Sequence, residues 1–269
     1  MDARFERFIK ERVYLQNVSP ATVEWYRQSL KRLLSENPSE DDLKNLVIKM
    51  RQDGLKATSC NCRIRAINSF LKWSGSSLKI PKLKEPQRVL PTFSQKDISK
   101  FMSWKPKTVY DKRLQVLVLT LADTGCRIGE VLGLRWSDID FDNLLMTVRG
   151  KGDRERKIPF SLELRKFLWK HRHEHQLVFC ARRGQPMGRR VVLRDVKRLC
   201  DDLGIQVPER TLHAFRHSFA LNYLRRGGNV FLLQKMLGHS SLEMTRRYSN
   251  LQTEDLQAVH QRVSLLSAA

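Results

Sequence analysis

Four short segments, in a fixed order along the chain, hold side chains suited to gripping an anion. The first is Thr124-Gly125-Cys126-Arg127-Ile128-Gly129-Glu130, with Leu132 and Leu134 after it. Gly125 should end one helix and leave Arg127 at the start of the next, where unpaired backbone N–H groups already favour an anion. A guanidinium there adds a planar fork that matches two phosphate oxygens. Glu130, three residues on, falls on the same face and can hold that guanidinium in place. The second segment is Arg149-Gly150-Lys151-Gly152-Asp153. A polar turn of this kind can thrust Lys151 into a bound ligand, although a single turn lysine is usually just solvated. The third runs from Thr211 to Phe219. His213 and Arg216 are three apart and share a helical face, while Phe215 and Phe219 form a different face and fit a core. His217 is expected to fall away from the His213/Arg216 pair and to be structural or incidental. The fourth is Leu237-Gly238-His239-Ser240-Ser241, followed by Tyr248 beside Arg246 and Arg247. Gly238 suits the left-handed residue that closes a helix, which would leave His239 on a turn and free to reach a site. Tyr248 by itself reads as a half-buried core tyrosine. One by one these residues mean little. Their order and local spacing carry the signal.

The elements that must position them are mostly helices. Ser19 and Pro20 make a helix start, with Val23, Tyr26, Leu30 and Leu33 at helical spacing behind them. A second helix is expected over Ser39–Gln52, and a third from Thr58 or Ser59 to Trp73. Their other faces carry Arg27, Lys31 and Arg32, then Arg63, Arg65 and Lys72. From Gly75 to Pro91 the composition changes to Gly, Ser and Pro with Lys79, Lys82, Lys84 and Arg88 between them. Pro81, Pro86 and Pro91 forbid a continuous helix, so this reads as an extended basic linker. The expected division is a helical domain over 1–77, a linker over 78–91 and a second domain over 92–269. In the second domain Ser94 with Asp97 is a capping pair, and Leu114–Thr124 suits a buried helix. A helix over about Ile128–Leu134 follows it. Leu144–Arg149 and Arg156–Phe160 flank the glycine-rich turn as a hairpin, with Leu177–Cys180 as a candidate third strand. Further helices are expected over Arg190–Leu203, Ala214–Arg226, Val230–Leu237 and Thr253–Leu266. The fold class is therefore mainly α with a small antiparallel β-sheet.

Charge narrows the partners. Fifty Lys and Arg face 28 Asp and Glu, a formal net charge of +22. Self-repulsion of that size points to a polyanion, and nucleic acid is the usual one. The excess is spread, net +8 over residues 1–91 and +14 over the remainder, so both parts look able to touch phosphate. The N-terminus mixes both charge signs and has no apolar run of signal-peptide or membrane-span length. The five Cys, at 60, 62, 126, 180 and 200, are odd in number and lack paired metal-ligand spacing. They suggest reduced thiols in a cytoplasmic protein with no zinc site and no membrane partner.

The blocks TGCRIGE, LHAFRHSFA and LGHSSLEMTRRYS, taken together, resemble those of the tyrosine recombinases, or phage-integrase family. The motifs span most of residues 92–252, and the likeness reaches 1–75 only through helical character and size. The resemblance implies a catalytic set of Arg127, Lys151, His213, Arg216, His239 and the nucleophile Tyr248, with Glu130 in support. It implies site-specific recombination through a 3′-phosphotyrosyl intermediate and a Holliday junction, without metal, ATP or other cofactor. The arginines and His239 would bind the non-bridging oxygens, Lys151 would be the general acid, and His213 would assist proton transfer at Tyr248. It also implies a helical core-binding (SAM-like) domain ahead of the catalytic domain. Candidate DNA contacts there are Arg27, Lys31, Arg63, Arg65 and Lys72. The partner would be double-stranded DNA with a specific site, held by a homo-tetramer on two duplexes. Leu256, Val259, Val263 and Leu266 lie at helical spacing, and that last helix would pack on its own domain or dock on a neighbouring protomer. The chain's length suggests a simple Xer-like or transposon-type recombinase without an arm-binding domain. Two alternatives are a type IB topoisomerase-like enzyme and a DNA-binding protein without turnover.

Overall fold

Ser19 sits in extended backbone ahead of Pro20, the first residue of a helix, as the sequence predicts. The computed structural model describes residues 3–33, 35, 37–86, 90–150, 155–238, 248 and 260. Contacts divide the chain into two units, Met1–Arg88 and Val89–Ala269.

The first unit holds helices α1 (Ala3–Gln16), α2 (Pro20–Leu30), α3 (Glu40–Gln52) and α4 (Ala57–Trp73). At the start of α3, Ser39 and Asp42 cap each other's backbone N–H groups. Helix α1 has no counterpart in the sequence reading, because charges in every turn hide its short apolar stripe. Phe5, Phe8 and Ile9 are nevertheless buried. The Phe8 ring meets Tyr26, Phe70 and Trp73 edge-on at centroid distances of 5.0, 5.6 and 5.5 Å.

The stretch over 78–91, expected as an extended rather than packed linker, is extended but packed over its first residues. Ile80 is buried in the first unit's core, and Leu78 and Leu83 pack against it. Asn68 of α4 donates to the Ile80 carbonyl and accepts from the Ile80 N–H, both at 2.9 Å. Asn61 does the same for Leu83, at 2.9 and 2.8 Å. The prolines do exclude helix, but an extended backbone still needs partners. Two side-chain amides provide them.

The second unit begins with α5 (Gln95–Ser103), α6 (Val109–Thr124) and α7 (Ile128–Leu132). A sheet follows, made of β1 (Ile139–Asp140), β2 (Leu145–Arg149) and β3 (Glu155–Pro159). It is antiparallel in the order β1-β2-β3. Inward-facing Met146, Val148 and Ile158 are fully buried. The third strand is β1, and not Leu177–Cys180, which makes only single bridges, Arg135 to Leu177 and Cys180 to Pro186. Helices α8 (Leu162–Lys170), α9 (Arg189–Asp202), α10 (Thr211–Arg225) and α11 (Val230–Leu237) complete the described elements. Helix α6 is the centre, packed against α5, α7, α8, α9 and α10. This is why eight successive residues of it, Leu114 to Leu121, are buried and why it shows little amphipathic stripe. Gly125 closes it in the left-handed conformation at φ +63°. Of the helix expected over Thr253–Leu266 only His260 is among the described residues, and it is helical. No helix among the described residues is long and apolar enough to cross a membrane.

Candidate active site

Arg127 ends up at the mouth of a cleft because α6 stops at Gly125 and α7 starts afresh in a new direction. Arg127 is the extended residue just before α7. Its own N–H donates to Glu130 Oε2 at 2.8 Å, and its guanidinium donates to Glu130 Oε1 at 2.9 Å. Glu130 thus holds both ends of Arg127, as its spacing suggests. Helix α7 has only five residues, so the positive charge here comes from the side chains more than from a helix terminus.

Arg216 reaches the same place from α10. It is buried, donating from Nη1 to the Gly125 carbonyl at 3.0 Å and from Nη2 to the Leu237 carbonyl at 2.6 Å. Burial and then the nearby Arg127 charge pull its pKa down to about 10, which leaves it charged at neutral pH. His213, one turn earlier on α10, stands at the open side. Partial burial comes first among the causes that lower its pKa, followed by Arg189, Arg210, Arg216 and Arg127. Cys126, beside Arg127, is buried and its thiol is pushed up to about 11, so it is no nucleophile at neutral pH.

Arg127, Glu130, Arg149, Gly150, Arg189, His213 and Arg216 line one cleft of about 350 Å³. A larger hollow of about 680 Å³ lies beside Phe93, Asp123 and Phe219, but it does not contain this set of charges. Among the described residues, no group of three or more His, Cys, Asp or Glu is arranged to hold a metal ion. Lys151 and His239 lie outside the described residues. Strand β2 ends and β3 begins on either side of Lys151 in the sequence, with Arg149 paired to Glu155 at the end of the ladder.

Tyr248 is 3% exposed, in a small core formed with Ala220, Leu224, Leu233 and Leu237. Its hydroxyl lies 2.9 Å from His217 Nδ1. His217, expected to be structural or incidental, is thus not incidental. His217 is four residues after His213, about 40° further round a helix, and so not far from the pair's face. Two more residues escaped the sequence reading. Arg156 of β3 donates to both oxygens of Glu130, at 3.0 and 2.9 Å. Arg189 lines the cleft from the start of α9. Helical period marks neither, since each is one arginine among many.

In the first unit, Lys31, Arg65 and Lys72 are exposed. Arg27 pairs with Glu6 at 3.5 Å, and Arg63 is half-buried with its Nε unpartnered.

Residues 91–255 match the model of the phage integrase family. The chain belongs to this family. The tyrosine recombinase XerA of Thermococcus onnurineus (strain NA1) is 31% identical over 94% of this chain and 92% of its own length. A crystal structure of XerA recombinase aligns at a TM-score of 0.57 with 26% identity, covering 97% of this chain and 98% of that one. The Tn1549 transposon integrase in complex with transposon right end DNA has the same fold, at a TM-score of 0.78 and 20% identity, covering 97% and 99%. Family membership assigns this tyrosine recombinase its class of activity, site-specific recombination by strand cleavage and rejoining.

Proposed function

We propose that this recombinase cleaves DNA by direct attack of Tyr248 on a backbone phosphate. The observation that carries the reading is the convergence of Arg127, His213 and Arg216 on one cationic cleft, with Tyr248 beside Arg216's own helix. The phenolic oxygen forms a bond to phosphorus as the bond to the 5′-oxygen breaks, leaving a 3′-phosphotyrosyl link and a free 5′-hydroxyl. The link conserves the phosphodiester energy, so no ATP is required. Charge gathers on the non-bridging oxygens, where Arg127 and Arg216 hold it in place of a metal. His239 adds a hydrogen bond to those oxygens, and Lys151 protonates the leaving oxygen. Among the described residues His217 is the imidazole nearest the phenol, and His213, which lines the cleft, assists removal of the phenol's proton as the bond to phosphorus forms. Attack by a 5′-hydroxyl from another strand reverses the step and completes exchange through a Holliday junction. Arg27, Lys31, Arg63, Arg65 and Lys72 serve as backbone contacts of the first unit. Four protomers on two duplexes, with the last helix docked on a neighbour, form the working assembly. DNA-bound relatives of the same fold support the duplex as partner.

Tyr248 is nearly buried and is not among the cleft-lining residues, and in this reading it moves toward the phosphate for cleavage. A nicked suicide duplex traps the covalent adduct on a denaturing gel. Tyr248→Phe should bind the duplex and give no adduct, with or without EDTA. An undiminished adduct in the variant would remove Tyr248 as nucleophile, and adduct lost from the wild type in EDTA would remove the metal-free step. Relaxation of plasmids that lack paired sites would favour a topoisomerase instead.

A further inference from the structure

Arg156 does not line the cleft, yet it belongs to one of the parts that build it and touches two others. Its guanidinium spans Glu130, Nη1 to Oε1 at 3.0 Å and Nη2 to Oε2 at 2.9 Å. Its Nε donates to the Met236 carbonyl at 2.7 Å, in the last turn of α11. Those partners are 26 and 80 residues away along the chain. The next carbonyl, of Leu237, is taken by Arg216. Two arginines from different elements therefore hold two successive acceptors that a helix end would otherwise leave unpaired. Gly238 closes α11 at φ +63° against the Arg156 guanidinium, where a Cβ would come within 3.1 Å of it. The Arg156 side chain is 13% exposed and that of Glu130 5%, so the fork is shielded from water.

We propose that Arg156 is a positioning residue for strand cleavage. It locks the hairpin that bears Lys151, the carboxylate that aims Arg127 and the helix end that precedes His239 into one frame. A lysine in its place keeps the charge but cannot span two carboxylate oxygens and reach Met236 as well. This rests on the phosphotyrosyl reading above. It adds to that reading a reason why a residue outside the cleft limits the chemistry.

The test uses the full chain with Arg156→Lys and Arg156→Ala, measuring single-turnover cleavage of the suicide duplex, duplex affinity and thermal melting. Both variants should cleave about a hundredfold more slowly, while affinity changes by less than about threefold. The pH profile separates positioning from mere structure. Among the described residues, the charged groups around Glu130 are Arg127, Arg156 and Arg216, with Cys126 close by. Without Arg156 the buried carboxyl should protonate more readily. Arg156→Ala should then lose further activity toward pH 5, and Glu130→Gln in the same background should abolish that acid limb. Arg156→Lys cleaving at the wild-type rate overturns the assignment alone. So does cleavage that falls only in step with melting temperature and affinity. A wild-type chain that gives no adduct overturns the tyrosine chemistry and this assignment together.

Discussion

Glu130 is the residue on which two arginines of the second unit depend. Burial alone would raise its pKa, but hydrogen bonds from Arg156 and from the Arg127 backbone outweigh burial and the net direction is down. It stays ionised at neutral pH and keeps Arg127 oriented. His213 shows the opposite charge logic. Its pKa lies below the ordinary 6.5, so the free protein holds it neutral at pH 7 and protonates it only at lower pH than an exposed imidazole. An anion in the cleft offsets the surrounding guanidiniums and should raise that midpoint. Arg189→Ala, which deletes one of those charges, should raise it too. An NMR titration of the His213 ring reads both effects. A midpoint unmoved by phosphate and by Arg189→Ala would mean that these charges do not govern the ring.

At the scale of elements, the junction after α6 decides whether a cleft exists. Gly125 needs its left-handed backbone, and a Cβ there would fall 2.5 Å from the Phe219 ring and 3.0 Å from Leu237. Its carbonyl also accepts from Arg216. Gly54, at the end of α3, has φ +80° and open space around it. Gly125→Ala should cost about 2–4 kcal/mol, adding overpacking to backbone strain, whereas Gly54→Ala should cost about 1 kcal/mol. Denaturant unfolding of the two variants compares them directly. Equal losses would show that the approach of α10 and α11 to Gly125 relaxes freely. Much of this junction is legible in the sequence. The capping pair Ser94–Asp97 sits where local spacing puts it, and so do the glycines that close α6 and α11, whereas the Ser39–Asp42 pair emerges only in the structure. Helix α1 and strand β1 are not legible, one masked by charge and the other only two residues long.

For the whole molecule, the net charge of +22 is the dominant long-range property. It is shared by both units, so binding should neutralise phosphates along an extended stretch of duplex. If 6–10 phosphates are contacted, affinity should fall by about 10³–10⁵ between 50 and 200 mM salt. Fluorescence anisotropy with a labelled duplex measures this. A change of less than about tenfold would mean that only a few of the basic residues meet the backbone.

By itself the sequence determined the helical class, the glycines that close α6 and α11 and the four segments bearing Arg127, Lys151, His213, Arg216, His239 and Tyr248. Each of those signals is local, written within a few residues by helical period, turn chemistry or motif spacing. Only the tertiary structure decided which side chains meet. Arg156 finds Glu130 and Met236 across 26 and 80 residues, and His217 finds Tyr248 across 31. It also decided that residues 78–86 are fastened to α4 and do not run free, through Asn61 and Asn68. Such pairings depend on where packing around α6 and α4 carries distant elements, and no local pattern encodes that.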